Sequence, residues 1–403
     1  MAIRRWHLGL ALAAGGMLAL SSAAMAQCGG AADFPGWLDS FRQEAAASGI
    51  SPAALSTLDG IRYDQKVINA DRAQGVFAQS FAEFAGRMAD GYRLDQGKAQ
   101  LRKHADIFAR IEQEFGVPGP VLVGFWGLET DFGAVQGDFA TLQSLATLAH
   151  DCRRPDMFRA ELLAALTLLD RGDLAPADLK GAWAGEVGQM QFVPTYYLEL
   201  AVDYDGDGKR NLVRSVPDVL ASSANLLKHH GWQAGQPWLE EVRAPAEMNW
   251  AEADLAIKHP RSQWAAWGVT RADGRPLESD AMPASLVLPM GRFGPAFLAY
   301  DNFKVYTEWN NSLIYSLTAA YYATRLAGAL PMNRGAAKIP TLNFEEIREL
   351  QRLLAKRGYD VGRIDGILGS KSRQAVRATQ IKLRLPADSW PTAELLAHLR
   401  SGR

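Results

Sequence analysis

The sequence predicts a mainly α-helical (α+β) protein, with a large helical domain that carries a small β-containing insertion and a small helical domain after it. Apolar residues recur at helical spacing near the N-terminus, as in Leu38, Phe41 and Ala45, which is typical of helices with one buried face. Prolines and glycines become frequent between residues 238 and 302. Within that region Ser285–Leu288 and Phe297–Tyr300 have the composition of short strands. Because 403 residues exceed one ordinary core, we expect two or three structural units.

The first 26 residues have the pattern of a secretory signal peptide. Arg4 and Arg5 precede an apolar stretch from residue 8 to residue 20, and Ala24-Met25-Ala26 forms a small-x-small cleavage site. The apolar stretch is short for a membrane span. We therefore expect residues 1–26 to be removed, no transmembrane segment after cleavage, and a soluble periplasmic protein that begins near residue 27.

Cys28 and Cys152 are the only cysteines in the chain. In an oxidising compartment, two cysteines most simply form one disulfide. The bridge would tie the mature N-terminus to the middle of the large domain. Two unpaired thiols are the alternative.

Composition and charge are those of an ordinary soluble globular protein. The chain is 48% hydrophobic and 22% charged, with a formal net charge of −1. A balanced charge gives no indication of nucleic acid or of a membrane surface as a partner.

A glutamate within an aromatic cluster is the best candidate for chemistry. A helix that begins near Pro118 and ends near Gly133 would place Phe125, Glu129 and Phe132 on one face. A carboxyl group among rings loses hydration, so its pKa rises and it can act as a general acid near neutral pH. Glycosidic bond cleavage needs such an acid. The alternative is a structural or salt-bridged glutamate, because structural networks also perturb carboxyl groups.

A second candidate site is a run of oxygen ligands between residues 203 and 211. It reproduces the first nine positions of an EF-hand calcium loop, including the glycine at position six. Position twelve is Arg214 where the motif has a glutamate, and an aspartate from the next helix could replace it. A metal-free turn remains the alternative. The candidate ligands for a structural Ca²⁺ are Asp203, Asp205, Asp207, Asn211 and Asp218.

Four segments of the chain resemble the catalytic domain of the lytic murein transglycosylase B family, over residues 68–326. That resemblance implies a lysozyme-like, mainly helical fold. It also implies cleavage of the MurNAc–GlcNAc bond of peptidoglycan to leave a 1,6-anhydro sugar, with no required cofactor. The segments are Gly127–Gly133, Leu179–Tyr196, Ala201–Gly208 and Tyr306–Tyr315.

The resemblance also assigns roles to residues. By this resemblance Glu129 is the single acid/base. Gln191 would bind the glycan, and a buried glutamine that holds loop backbone is the alternative interpretation of that residue. Two positions depart from the family, because Ala182 replaces a small hydroxyl residue and Glu186 replaces an alanine. The residues implied to bind the glycan are Gln191, Phe192, Trp309, Asn310 and Tyr315.

The C-terminal segment resembles the peptidoglycan-binding domain 1 family. A linker at 331–342 separates it from the catalytic domain at 27–330, and it occupies 343–403. The resemblance rests on Gly358-Tyr359, Asp365-Gly366 and the run Gly369–Val376. Twelve Lys/Arg and seven Asp/Glu give it a net charge of +5, which suits the carboxylates of peptidoglycan stems. A solvated basic surface is the alternative.

These features together predict an exported lytic transglycosylase that acts on peptidoglycan glycan strands. A muramidase that uses the same acid but delivers water is the nearest alternative. A non-catalytic wall-binding scaffold with the same fold is the second.

Overall fold

The computed structural model describes residues 29–73, 79–333, 335 and 339–402. The expected signal peptide and Cys28 lie outside these residues. Within the described ranges no helix is both long enough and apolar enough to cross a bilayer.

Six helices form the N-terminal part of the large domain. Their apolar faces pack into the main core, where Leu38, Phe41 and Ala45 are buried as the spacing predicts. Ser80 and Glu83 form a capping box at the start of the fourth helix. The helices are α1 Phe34–Ala47, α2 Pro52–Ser56, α3 Gln65–Arg72, α4 Phe81–Met88, α5 Tyr92–Lys103 and α6 Ala105–Phe115.

The central part surrounds one buried helix, α7 (Gly119–Thr130), which packs against α5 and α6 and against two later helices, Val216–His229 and Leu313–Leu326. Two short antiparallel strands pair Phe139 with Gly181 and Ala140 with Lys180. The remaining elements here are β1 Phe139–Ala140, α8 Thr141–His150, α9 Pro155–Asp170, β2 Lys180–Gly181, α10 Pro194–Leu200 and α11 Val216–His229.

The expected β-containing insertion is a five-stranded antiparallel sheet with the order β4-β6-β7-β3-β5. Both expected strands are present, with ends shifted by one or two residues. Buried Trp264 donates its indole N–H to the Ala284 carbonyl at 2.9 Å and anchors a separate small core. The elements are β3 Leu239–Arg243, β4 His259–Pro260, α12 Arg261–Ala266, β5 Thr270–Arg271, β6 Pro283–Val287 and β7 Ala296–Ala299.

Two helices complete the large domain, α13 (Phe303–Trp309) and α14 (Leu313–Leu326). α14 packs along α7, and a Cβ at Gly124 would lie in van der Waals contact with it, 3.4 Å from the Ala319 carbonyl oxygen. α7, which carries most of the first resemblance motif, therefore lies beside α14, which begins within the fourth.

The C-terminal domain contains α15 (Phe344–Lys356), α16 (Ser370–Lys382) and α17 (Ala393–Arg400) around its own apolar core. It is docked on the sheet of the large domain. Arg373 donates to the Pro289 carbonyl at 3.1 Å, and Arg292 pairs with Asp388 at 3.2 Å. Part of its positive charge is thus used for docking.

One local expectation is wrong. α7 ends at Thr130, three residues before Gly133, because Asp131 and Phe132 adopt left-handed φ angles of 52° and 62°. Thr130 fixes this end, since its hydroxyl oxygen accepts from the Gly133 N–H at 2.9 Å. Phe132 therefore leaves the face of Glu129 and packs edge-to-face on Trp126.

Candidate active site

Glu129 lies near the C-terminal end of α7 and is partly buried. Two donors from distant sequence reach the same oxygen. The Trp309 indole N–H donates to Oε1 at 2.8 Å, and the Tyr315 hydroxyl donates to the same Oε1. Because both donors occupy Oε1, Oε2 is the oxygen left to carry a transferable proton.

A stack of rings holds Trp309 in place. Its ring lies 4.3 Å from that of Phe125, centroid to centroid, and Phe125 stacks in turn on Tyr306 at 4.9 Å. Phe192 meets Trp309 edge-to-face at 6.2 Å. Offset and edge-to-face contacts of this kind stabilise aromatic clusters beyond simple burial. The indole N–H is therefore oriented before any substrate binds.

The pKa of Glu129 is raised to about 7. Burial is the largest cause, because the surrounding protein excludes the water that would solvate the carboxylate. The donors Tyr315 and Trp309 act in the opposite direction, and the negative charge of Glu186 raises the pKa further. A carboxyl group with such a pKa can give up and take back a proton near neutral pH.

A loop from residue 181 to residue 192 faces α7 and is fastened to it. Gln189 accepts the Trp126 indole N–H at 3.0 Å, and its carbonyl oxygen accepts the Thr130 hydroxyl at 2.6 Å. Trp126 and Thr130 flank Glu129 in the sequence. The resemblance motif of this loop is therefore placed directly beside the candidate acid.

The residues expected to bind glycan take different positions. Trp309 and Tyr315 bind Glu129, whereas Phe192 is only 2% exposed and supports Trp309 from behind. The Gln191 amide donates to the carbonyls of Gln136 and Gly188, at 3.0 and 2.8 Å. These two bonds hold loop backbone, as in the structural interpretation of this glutamine.

Asn310 begins the segment between α13 and α14. Its side-chain oxygen accepts the Ser312 N–H at 2.9 Å, and its carbonyl accepts the Ser316 hydroxyl at 2.8 Å. Asn310 therefore shapes the turn that leads from Trp309 to Tyr315. A cavity of about 630 Å³ begins at the next residues, Asn311 and Ser312, and runs between the large domain and the C-terminal domain.

Glu186 is a charged group of the site that the sequence indicated only as a departure from the family. It lies in the loop beside α7, and one of its carboxyl oxygens is buried without a hydrogen-bond partner among the described residues. Burial raises its pKa. A charged residue where a family has alanine is the sequence signal that points to it.

The candidate calcium loop brings three carboxylates together. Oxygens of Asp203, Asp205 and Asp218 lie within 4.8 Å of one another. Asp218 comes from α11, is fully buried, and accepts the N–H of Tyr204 at 2.7 Å and of Asn211 at 2.8 Å. The Asn211 side-chain oxygen caps the backbone of Val213 and Arg214, and Asp207 accepts from the Lys209 N–H at 2.8 Å.

Three carboxylates with oxygens this close together repel one another. Burial raises the pKa of Asp218, and the charge of Asp205 raises it further. Hard cations such as Ca²⁺ prefer clustered carboxylate oxygens. The donor set of this loop fits such a cation.

Of the two cysteines in the expected disulfide, Cys152 lies within the described residues. Cys152 follows α8 and is disulfide-bonded, and its single possible partner in the sequence, Cys28, lies outside the described residues. The adjoining segment does reach this region, because the His150 ring hydrogen-bonds with the Gly30 carbonyl at 3.1 Å.

Residues 33–324 match the transglycosylase SLT domain family, and residues 344–399 match a peptidoglycan binding domain. The first match covers well over half of the chain. The chain belongs to the transglycosylase SLT domain family. The first match confirms the family and the lysozyme-like helical fold expected from the sequence, and the second confirms the expected peptidoglycan-binding module.

Relatives in this family are lytic transglycosylases. The chain is 33% identical over 225 residues to membrane-bound lytic murein transglycosylase B of Escherichia coli, a match that spans 61% of that protein and 56% of this chain. It is 41% identical to SltB3 from Pseudomonas aeruginosa, solved in complex with NAG-anhNAM-pentapeptide. That similarity has a TM-score of 0.84 over 91% of this chain and 99% of SltB3.

A third relative concerns the metal loop. The Escherichia coli lytic transglycosylase Slt35, solved in complex with calcium, is 28% identical to this chain. The similarity has a TM-score of 0.62 and covers 72% of this chain and 92% of Slt35.

Proposed function

We propose that this chain is an exported lytic transglycosylase that cleaves the β-1,4 bond between MurNAc and GlcNAc in peptidoglycan and forms 1,6-anhydroMurNAc ends. The observation that carries the proposal is the environment of Glu129. Its carboxyl group has a pKa of about 7, one oxygen held by Trp309 and Tyr315, and the other free to transfer a proton.

In the first step Glu129 acts as a general acid. Oε2 gives its proton to the bridging glycosidic oxygen as the bond to C1 of MurNAc breaks. The N-acetyl carbonyl oxygen of the same MurNAc attacks C1, so no carboxylate nucleophile is required, in contrast to the usual two-carboxylate scheme. The donors on Oε1 then stabilise the carboxylate that remains.

In the second step the same carboxylate acts as a general base. It removes the proton of the 6-hydroxyl group of MurNAc, O6 attacks C1, and the bond from C1 to the acetyl oxygen breaks. The proton returns to Glu129 and no water is consumed. One titrating group thus serves both steps, which requires a pKa near the working pH.

Substrate contacts are part of this proposal. Trp309, Asn310 and Tyr315 line the approach to Glu129, whereas Gln191 and Phe192 act mainly by shaping the loop behind it. The SltB3 complex with a disaccharide pentapeptide supports a peptidoglycan substrate for a chain of this fold. A separate cavity, lined by Asn311 and Ser312 on one side, lies between the large domain and the C-terminal domain, and we propose that the C-terminal domain binds the wall.

We propose that the protein is exported to the periplasm. The signal-peptide pattern of residues 1–26 and the disulfide at Cys152 both support an oxidising compartment. A Cys28–Cys152 bridge would close a long loop and contribute about 2–4 kcal/mol to the free energy of unfolding.

We further propose that the loop at 203–211 binds a structural Ca²⁺. Asp203, Asp205 and Asp218 would hold it, with Asp207 and Asn211 fixing the loop around them. The calcium complex of Slt35 supports this choice of ion. A bound cation offsets the repulsion among the three carboxylates and orders the loop, and it takes no part in the proton transfers at Glu129.

Product analysis on isolated sacculi tests the proposed reaction. A lytic transglycosylase releases muropeptides that end in 1,6-anhydroMurNAc, lighter by one water than hydrolytic products and without a reducible end. Reducible MurNAc ends would identify a muramidase. Sacculi that bind the protein but release nothing would identify a non-catalytic scaffold.

A further inference from the structure

Gln189 is inserted between the end of α7 and a second segment of the large domain. It is 7% exposed. Its side-chain oxygen accepts the Trp126 indole N–H at 3.0 Å, and its carbonyl oxygen accepts the Thr130 hydroxyl at 2.6 Å. A Cβ at Gly133 would lie 2.4 Å from that side-chain oxygen, so glycine at this position gives the glutamine room. Gln189 therefore contacts α7 on both sides of Glu129 in the sequence.

The other side of Gln189 meets the segment that directly follows the candidate calcium loop. Its side-chain amide donates to the Val213 carbonyl at 3.0 Å, and its backbone N–H donates to the Leu212 carbonyl at 2.9 Å. A Cβ at Gly188 would lie 2.4 Å from the Leu212 carbonyl oxygen. The two segments therefore lie against each other at backbone distance, and Gln189 is the side chain that spans them.

The segment at 211–213 is held in turn by the candidate calcium loop. The Asn211 side-chain oxygen accepts the Val213 N–H at 3.1 Å. The Asn211 N–H donates to the carboxylate of Asp218, the buried member of the carboxylate group, at 2.8 Å. A continuous series of hydrogen bonds therefore connects the candidate calcium loop with the helix that carries Glu129.

Strained backbone lies on both sides of this link. Asp131 and Phe132, directly after Thr130, adopt left-handed φ angles of 52° and 62°, and Gln191, two residues after Gln189, has a φ of 51°. Non-glycine residues in this conformation cost free energy and persist only where the surrounding contacts over-determine them. The hydrogen bonds of Gln189 join the two strained segments, so their loss should allow both segments to relax.

We propose that Gln189 is a positioning residue, through which the order of the segment at 211–213 determines the orientation of the Glu129 carboxyl group. This inference rests on the proposed function, because it gives Glu129 the role of acid. The backbone and side-chain polar atoms of Gln189 are all hydrogen-bonded within the protein. A displacement of about 1 Å at a catalytic group can lower a rate about 100-fold. Disturbance of this series should therefore change kcat rather than substrate binding.

The test is a double-mutant cycle on the full-length chain, with Gln189→Met and Asn211→Ala alone and together, in the same excess of calcium. Methionine keeps the length of the glutamine side chain and removes its two hydrogen bonds. Below the thermal midpoint of every variant, Gln189→Met should lower kcat on soluble glycan fragments about tenfold, with KM nearly unchanged. Asn211→Ala should lower kcat in the wild-type background and add less than about twofold to Gln189→Met, because the two residues act in series.

Gln351→Met is the matched control. Gln351 is fully buried in the C-terminal domain, and its side chain also holds loop backbone, with the Gly366 N–H at 2.8 Å and the Ile367 carbonyl at 2.9 Å. Its substitution should lower the thermal midpoint and leave kcat on the same fragments unchanged. The control separates the cost of losing a buried amide from an effect on the orientation of Glu129.

A second readout does not depend on turnover. The Trp309 indole N–H donates to Glu129, so its ¹H–¹⁵N signal, assigned from Trp309→Phe, reports the orientation of the acid. Asn211→Ala should shift this signal in the wild-type background and leave it in place in the Gln189→Met background. Gln189→Glu is a second background, which keeps the acceptor for Trp126 and loses the donor to Val213, and there too Asn211→Ala should leave the signal in place.

An unchanged kcat and an unchanged Trp309 signal in Gln189→Met would overturn the inference, whatever the products are. So would an effect of Asn211→Ala that is equally large with and without Gln189. If the Trp309 signal responds as expected but wild type forms reducible MurNAc ends, the role of Gln189 stands and the proposed reaction fails.

Discussion

Trp309 donates its indole N–H to Oε1 of Glu129 at 2.8 Å across a separation of 180 residues in the sequence. Tyr315 adds a second donor to the same oxygen. A buried carboxyl group with its ionised form stabilised at one oxygen only is suited to losing a proton from the other. The aromatic cluster thus does more than exclude water, because it also orients the acid.

Tyr315→Phe should move the pH profile of activity to higher pH. The hydroxyl of Tyr315 lowers the pKa of Glu129 by stabilising the carboxylate. Without it the carboxyl group stays protonated to higher pH, so the decline of kcat/KM at high pH should begin about half a unit higher. Tyr322→Phe on the same helix is the control, because its hydroxyl donates to the Arg93 carbonyl. Equal profiles for wild type and Tyr315→Phe would contradict this assignment.

Glu129→Gln should change the pH dependence of stability. The folded pKa of Glu129 is about 7 and the ordinary value is 4.5, so between these values the unfolded chain releases a proton that the folded chain retains. Wild-type stability therefore falls as pH rises through this window, and glutamine removes the effect. The free energy of unfolding of Glu129→Gln minus that of wild type should therefore increase by about 3 kcal/mol when the pH is raised from about 4 to about 8. Urea denaturation of both proteins at both pH values measures this change. If the difference in their free energies of unfolding is the same at the two pH values, the raised pKa is contradicted.

Calcium should raise the thermal midpoint of wild type, and a chelator should lower it. A ligand that binds only the folded state stabilises it. Asp218→Asn should remove most of this response, since Asp218 is the buried member of the carboxylate group. Asp273→Asn, an exposed aspartate in a turn of the β insertion, should leave the response intact. A midpoint unchanged by millimolar calcium would show that the loop is a metal-free turn.

Truncation after Pro340 should weaken retention on sacculi while largely preserving activity on soluble glycan fragments. The reason is that Glu129 and its donors lie in the large domain, whereas the C-terminal domain has its own core. Truncation removes Arg373 and its hydrogen bonds to the carbonyl groups of Leu288 and Pro289, and water can solvate these carbonyl groups instead. Activity on both substrates, with thermal unfolding of the truncated chain as a control, measures the effect. Equal losses on both substrates would place the domain within the catalytic unit.

Local signals were enough to predict much of this molecule. Glycine spacing, apolar periodicity and the prolines near residue 118 identified α7 and the strands of the insertion. Phe132 was misplaced because the left-handed residues after Thr130 are neither glycine nor asparagine, so nothing in the sequence marks the early helix end. The buried position of Phe192 and the docking role of Arg373 depend on contacts between distant segments, which periodicity does not reveal.

Glu186 illustrates the same limit within the site. Its sequence position marked it only as an unusual residue in a familiar motif. Its buried carboxyl oxygen and its raised pKa depend on how the loop packs in the fold. Burial of this kind follows from three-dimensional packing, which spacing along the chain does not determine.

Digestion of sacculi in water labelled with oxygen-18 tests the central claim most directly. If Glu129 serves as acid and then as base for the 6-hydroxyl of the same sugar, the released MurNAc ends carry no solvent oxygen, and Glu129→Gln releases no product. Mass spectrometry of the muropeptides reads both results. Incorporation of one labelled oxygen at each new MurNAc end, or full activity of Glu129→Gln, would contradict the account.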